Sequence, residues 1–221
     1  MAIVENIQFI EKEIAGKDIT LVAVSKTKPV EMLMEAYNAG FKRFGENYVQ
    51  ELVGKYEEMP KDIEWHFIGH LQSNKVKYIA PFVSLIHSVD SFKLLQEINK
   101  QGAKNNRVID CLLQIYIAEE DTKSGMTEEE CLEILKPEVL GQLSNIKIAG
   151  LMGMTTLTDD EVQIRKEFKK LKDFYNSIIS ENSSLQILSM GMSGDYTIAI
   201  EEGSTMIRVG SKIFGERIYQ K

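Results

Sequence analysis

Eight short, mostly apolar runs recur along this chain, at residues 19–25, 43–46, 65–69, 85–88, 110–117, 148–154, 186–191 and 205–210. Runs of this length, apolar without strict alternation, read as strands covered on both faces. The stretches between them carry helical spacing. Val30, Leu33, Met34 and Tyr37 form one stripe, opened by Pro29 and closed by Gly40. Thr127 with Glu130, and Thr158 with Glu161, have the spacing of capping boxes. Phe168, Leu171, Phe174, Tyr175 and Ile178 make a long apolar face, and Ile3, Ile7, Ile10 and Ile14 make another before the first strand. Eight strand–helix repeats predict an α/β fold, a single closed (β/α)8 (TIM) barrel, with an open doubly wound sheet as the alternative. No Pro/Gly-rich hinge or block of like charge interrupts the pattern, so residues 1–221 read as one domain.

Charge and cysteine content narrow the function classes. The net charge of −7 argues against broad nucleic-acid binding, so an anionic ligand would need local donors. No apolar run reaches membrane-spanning length. The first residues lack the basic start and apolar core of a secretory signal, and the expectation is a cytoplasmic protein without membrane contact. Cys111 and Cys131 have no metal spacing and read as buried thiols of a reducing compartment. His66 and His70 have no acidic or histidine partner at a metal-site spacing, so no metal is expected. His66 reads instead as a barrel-interior residue hydrogen-bonded locally.

Several positions stand where barrel chemistry is done, at the C-terminal ends of strands. Lys26 ends the first run and precedes the helix opened at Pro29. Such an amine can be desolvated and attack an aldehyde; the plain alternative is a solvated loop lysine. The last two strands end in Gly191-Met192-Ser193-Gly194-Asp195 and Gly210-Ser211-Lys212. Glycine with a hydroxyl at both ends suits an anion held on free amides, or equally a set of caps and turns. Alternation turns Arg208 away from Ile207 and Val209 and into the barrel, where it needs a partner such as Glu46. Asn47 and Asp90 read as helix caps.

Read together, Val22-Ala23-Val24-Ser25-Lys26-Thr27-Lys28-Pro29, Phe44-Gly45-Glu46-Asn47-Tyr48, residues 65–75, Leu188-Ser189-Met190-Gly191-Met192-Ser193-Gly194-Asp195 and residues 208–215 resemble, in order, the pyridoxal phosphate homeostasis proteins. The resemblance runs over nearly the whole chain. It implies a barrel like the N-terminal domain of alanine racemases, PLP fold type III, carrying pyridoxal 5′-phosphate (PLP) as a Schiff base on Lys26. It further implies Asn47 near the ring's phenolic oxygen, and Ser193, Gly194, Gly210 and Ser211 at the phosphate. Arg208 would face either the pyridine nitrogen or the phosphate. Lys123, in the loop after the fifth strand, should lie on the same rim; it reads as a solvated loop lysine or, alternatively, as a second amine able to take the aldehyde during release.

Racemases draw a second acid/base group from an appended β-domain. The chain ends at Lys221, soon after Gly210, and the expectation is that this domain is absent. The implied role is therefore a monomeric carrier in vitamin B6 homeostasis with no catalytic residues, holding PLP and handing it to apo PLP-dependent enzymes. Three other readings stand beside it: a racemase-type PLP enzyme with an unidentified substrate, a cofactor-free Schiff-base aldolase, and an interaction protein with vestigial PLP.

Overall fold

A computed structural model describes residues 2–119 and 124–216. Its strands are β1 (Thr20–Val24), β2 (Arg43–Glu46), β3 (Glu64–Phe67), β4 (Leu85–Val89), β5 (Ile109–Gln114), β6 (Ile146–Met152), β7 (Ile187–Ser189) and β8 (Met206–Val209). They run parallel in sequence order and close on themselves. Closure is set by the register of β1 on β8, which pairs Val22 with Arg208 and Ala23 with Val209. All eight expected strands are present, and the open-sheet alternative falls.

Side-chain alternation divides the molecule into two apolar layers. Val22, Leu85, Leu112, Ala149, Met152 and Met206 fill the barrel. The alternate residues, among them Ala23, Phe44, Trp65, Ile86, Leu113 and Ile207, face the helices in a larger outer core. Helices α1 (Ile3–Ile14), α2 (Val30–Asn38), α3 (Val49–Glu58), α4 (Val76–Ile79) and α5 (Phe92–Lys104) cover the first half. The second half is covered by α6 (Glu128–Leu135), α7 (Pro137–Leu140), α8 (Glu161–Ile179), α9 (Tyr196–Glu201) and α10 (Ser211–Phe214). In α8, Phe168 and Leu171 are fully buried. Each side chain of that size contributes roughly 1.5–3 kcal/mol on burial. The first helix packs against α2 and α10, and Asn6 donates to the Ile213 carbonyl of α10 at 2.9 Å.

Helix starts depart from expectation at several points. Thr127 and Glu130 do form a capping box on α6. The cap of α8, however, is Asp160, whose carboxylate accepts from the amides of Val162 and Gln163. Thr158 instead accepts from the Asp160 amide, so its hydroxyl is spent one turn early. Ser91, not Asp90, caps α5, and Asp90 pairs with His70. Tyr48 occupies the cap position of α3 with no side-chain bond, which leaves Asn47 outside the helix.

Candidate functional site

The first strand ends in a strained corner. Val22 points into the barrel and Ser25 points outward, so Lys26 follows Val24 to the mouth. The Ser25 carbonyl accepts from the Lys28 amide at 3.1 Å, closing a tight turn over residues 25–28. Its third residue, Thr27, has φ 62°. A β-branched residue rarely adopts this left-handed backbone. Lys28 turns away from the cavity centre: its Nζ donates to the carbonyls of Phe214, Gly215 and Glu216 at 3.0, 3.0 and 2.9 Å. That ammonium satisfies the carbonyl end of α10, where a helix favours positive charge.

Asn47 is placed by a close backbone approach. A Cβ on Gly69 would stand 2.2 Å from the Asn47 carbonyl oxygen, so only glycine lets the loop after β3 lie against it. Asn47 Oδ1 is buried without a hydrogen-bond partner among the described residues. Such a group is costly unless something entering the cavity meets the amide.

The loops after β7 and β8 are joined to one another. Ser193 Oγ accepts from the Gly210 amide at 3.0 Å, so Ser193 bridges the two loops and does not cap α9. Asp195 holds the turn from within: Oδ1 accepts from the Met192 amide at 2.6 Å and Oδ2 from Thr155 Oγ1 at 3.0 Å. Gly191 has φ 97°, and a Cβ there would lie 2.6 Å from that of Ala199, so the turn requires glycine twice over. In α10 the Ile213 and Phe214 amides both donate to the Gly210 carbonyl at 2.9 Å, which leaves the Ser211 and Lys212 amides without an acceptor in the helix.

Arg208 is buried in the barrel, and its partner is not Glu46. Glu46 faces outward with Phe44 and pairs with Lys55 of α3 at 2.7 Å. Arg208 instead donates to Ser189 Oγ at 2.6 Å and to the Gly153 carbonyl at 3.2 Å. Burial lowers its pKa to about 10, partly offset by Asp195, so it stays cationic at neutral pH. Ser189 also lies 3.1 Å from His87 Nδ1, and His87 Nε2 lies 2.9 Å from His66 Nδ1. Because guanidinium can only donate, Ser189 Oγ accepts from Arg208, while the direction of the Ser189–His87 and His87–His66 bonds is set by the tautomers of the two rings. Burial pushes His66 down to about 3 and His87 well below the usual range, so both rings are neutral. His66 is inside the barrel and hydrogen-bonded, as expected, whereas its partners His87 and Ser189, which alternate onto the same inner face, went unread in the sequence.

These residues enclose one cavity of about 380 Å³ at the barrel mouth. Lys26, Asn47, Ser193, Gly194, Arg208, Gly210 and Ser211 all line it, with apolar walls from Val24, Ile68, Met154, Leu157 and Met192. The combination suits a flat, partly apolar ring with an anionic arm: an amine at one side, hydroxyls and amides at the other, a fixed cation below. PLP has that chemistry, and Asn47, whose buried Oδ1 lacks a partner among the described residues, offers a polar contact to the ring edge. The larger groove along α8, about 520 Å³, is lined by lysines and acids on the outer surface. Lys123 lies outside the described residues, and among those described no cluster could hold a metal ion.

Comparison with known proteins places the chain among relatives of the same shape. A family model for the alanine racemase N-terminal domain matches residues 1–218. A protein from Aquifex aeolicus named pyridoxal phosphate homeostasis protein is 45% identical over 201 residues, covering 90% of this chain and 87% of that one. The structure of PipY from Synechococcus elongatus, solved with PLP bound, superposes with a TM-score of 0.87 at 33% identity, over 96% of this chain and 100% of its own. An alanine racemase from Clostridium difficile 630 superposes with a TM-score of 0.80 over 99% of this chain but 59% of its own length. At 16% identity, that likeness is one of fold alone.

Proposed function

The chain belongs to the alanine racemase N-terminal domain family and, within it, to the pyridoxal phosphate homeostasis proteins; on that premise we propose that it binds PLP at the barrel mouth and holds it in reserve for other proteins. The observation that carries this reading is the convergence of Lys26, Asn47, Arg208 and the Ser193–Ser211 loops on one cavity. Bound PLP would supply an aldehyde that condenses with the neutral Lys26 amine, releasing water and leaving a carbon–nitrogen double bond.

Each residue of the chain has a defined part. Ser193, Gly194 and Ser211 hold the phosphate through hydroxyls and amides, and Gly210 lines the same pocket with its own amide donating to Ser193 Oγ. Asn47 meets the phenolic edge of the ring. Arg208, fixed from behind by Ser189, presents a permanent cation to the ring nitrogen. A cation there disfavours a second positive charge on that nitrogen and makes the ring a poorer electron sink.

The protein is a carrier and not an amino-acid-transforming enzyme. Among the described residues lining the cavity there is no carboxylate, imidazole, phenol or thiol to exchange a proton with a substrate carbon. Lys28, the second lining amine, is committed to three carbonyls. Two buried free thiols suit a reducing, cytoplasmic setting, and no described helix is long and apolar enough to cross a membrane. The recipients are apo PLP-dependent enzymes, and the carrier works as a monomer. The test is to load the protein with PLP, mix it with an apo-enzyme and follow recovery of that enzyme's activity, alongside a search for turnover of amino acids by the carrier alone. Reactivation without turnover supports the reading. Racemisation at an ordinary enzymatic rate, above about 1 per second, contradicts it.

A further inference from the structure

Behind Lys26, on the outer side of the strand, lies a buried charge cluster that the site itself does not use. Lys55 Nζ reaches three acceptors, the Ser25 carbonyl at 2.8 Å, Glu46 Oε1 at 2.7 Å and Glu51 Oε1 at 2.7 Å. All three protons of the ammonium are thereby placed. Glu46 Oε1 also accepts from Ser25 Oγ at 2.6 Å. Glu51 Oε1 accepts from the Thr27 amide at 2.6 Å. The residue before Lys26 is thus held at its carbonyl and its hydroxyl, and the residue after it at its amide.

The cluster is expensive to bury. Lys55 is 5% exposed and Glu46 fully buried, with Glu46 Oε2 lacking any partner among the described residues. Well-packed apolar side chains would serve the fold as well or better at such positions. What it holds is also costly, because Thr27 keeps a left-handed backbone at φ 62° that its β-branched side chain disfavours. Strain and a buried ion cluster meet on either side of one lysine.

We propose that Glu51, Lys55 and Glu46 are positioning residues for Lys26: they pin Ser25 and Thr27 so that the intervening side chain is delivered into the cavity at the angle its amine needs. This rests on the reading that Lys26 takes PLP covalently. Glu51 is the arm best suited to testing, since its side chain is 23% exposed and its loss leaves the Lys55–Glu46 pair intact.

Two probes separate placing the amine from building the cradle. PLP needs both. The aldehyde-free analogue 4′-deoxypyridoxine 5′-phosphate needs only the cradle. For Glu51→Ala we expect PLP affinity to fall about tenfold, equivalent to ~1.4 kcal/mol, with analogue affinity unchanged. Glu51→Gln, which still accepts from the Thr27 amide, should restore PLP binding. The folded double variant Glu46→Gln/Lys55→Met should show the same split. Equal losses for PLP and analogue, or no loss of PLP in Glu51→Ala, would overturn the inference. If wild-type protein fails to link PLP to Lys26 at all, the underlying reading fails instead, and the two failures are told apart by that control.

Discussion

Ser193 Oγ accepts a hydrogen bond from the Gly210 amide at 3.0 Å, tying the loop after β7 to the loop after β8. The two segments that bring hydroxyls and free amides to the barrel mouth are thus one unit. Ser193→Ala removes the tie and a donor together. PLP affinity is expected to fall about five- to tenfold, the worth of one hydrogen bond at ~1 kcal/mol. A fluorescence titration measures it, and an unchanged affinity would remove Ser193 from the site.

Gly69→Ala tests the placement of Asn47. The new methyl would sit 2.2 Å from a backbone oxygen and no side-chain rotation relieves it. Destabilisation of roughly 1–3 kcal/mol is expected in urea denaturation, with weaker PLP binding in the folded fraction. Normal stability would mean that the loop after β3 is free to move aside.

Lys28 is expected to act as a strut and not as a second acceptor for the aldehyde. Lys28→Met strips the carbonyls of Phe214, Gly215 and Glu216 of their common donor. Stability should fall by about 1–2 kcal/mol, and the stoichiometry of covalent PLP should stay at one. A drop in stoichiometry would show that the amine itself carries PLP.

Glu46 gives a pH signature of definite sign. Burial pushes its carboxyl up to about 7 from an ordinary 4.5, against the pull of Lys55. Between those values the folded chain keeps a proton that the unfolded chain releases. Its contribution to stability therefore falls as pH rises through that window. Glu46→Gln cannot titrate, so its thermal midpoint should gain on wild type between about pH 5 and about pH 8. His66 and His87, held neutral by burial, slope the other way in both proteins and cancel in the difference. A difference independent of pH would contradict this.

The barrel was legible because parallel strands buried on both faces leave continuous apolar runs, as in Leu21 to Val24 and Cys111 to Leu113. The cavity residues were legible because strand ends at the C-terminal face of a barrel meet in space whatever their separation in sequence. Partners were harder. Asn47 and Asp90 have capping chemistry, but the helices begin one residue later, and cap choice depends on where the chain turns. Arg208 was rightly placed inside, yet alternation from Phe44 already turned Glu46 outward toward Lys55. The Ser189–His87–His66 thread joins three strands at one level of the barrel interior, a coincidence of register that no local pattern displays.

The most direct measurement is borohydride reduction of the protein loaded with PLP, followed by peptide mapping. A single pyridoxyl group on the peptide carrying Lys26, with the visible absorption band lost in Lys26→Ala, is the expected result. A label spread over several lysines, or an unmodified Lys26 in a protein that still holds PLP, would contradict it.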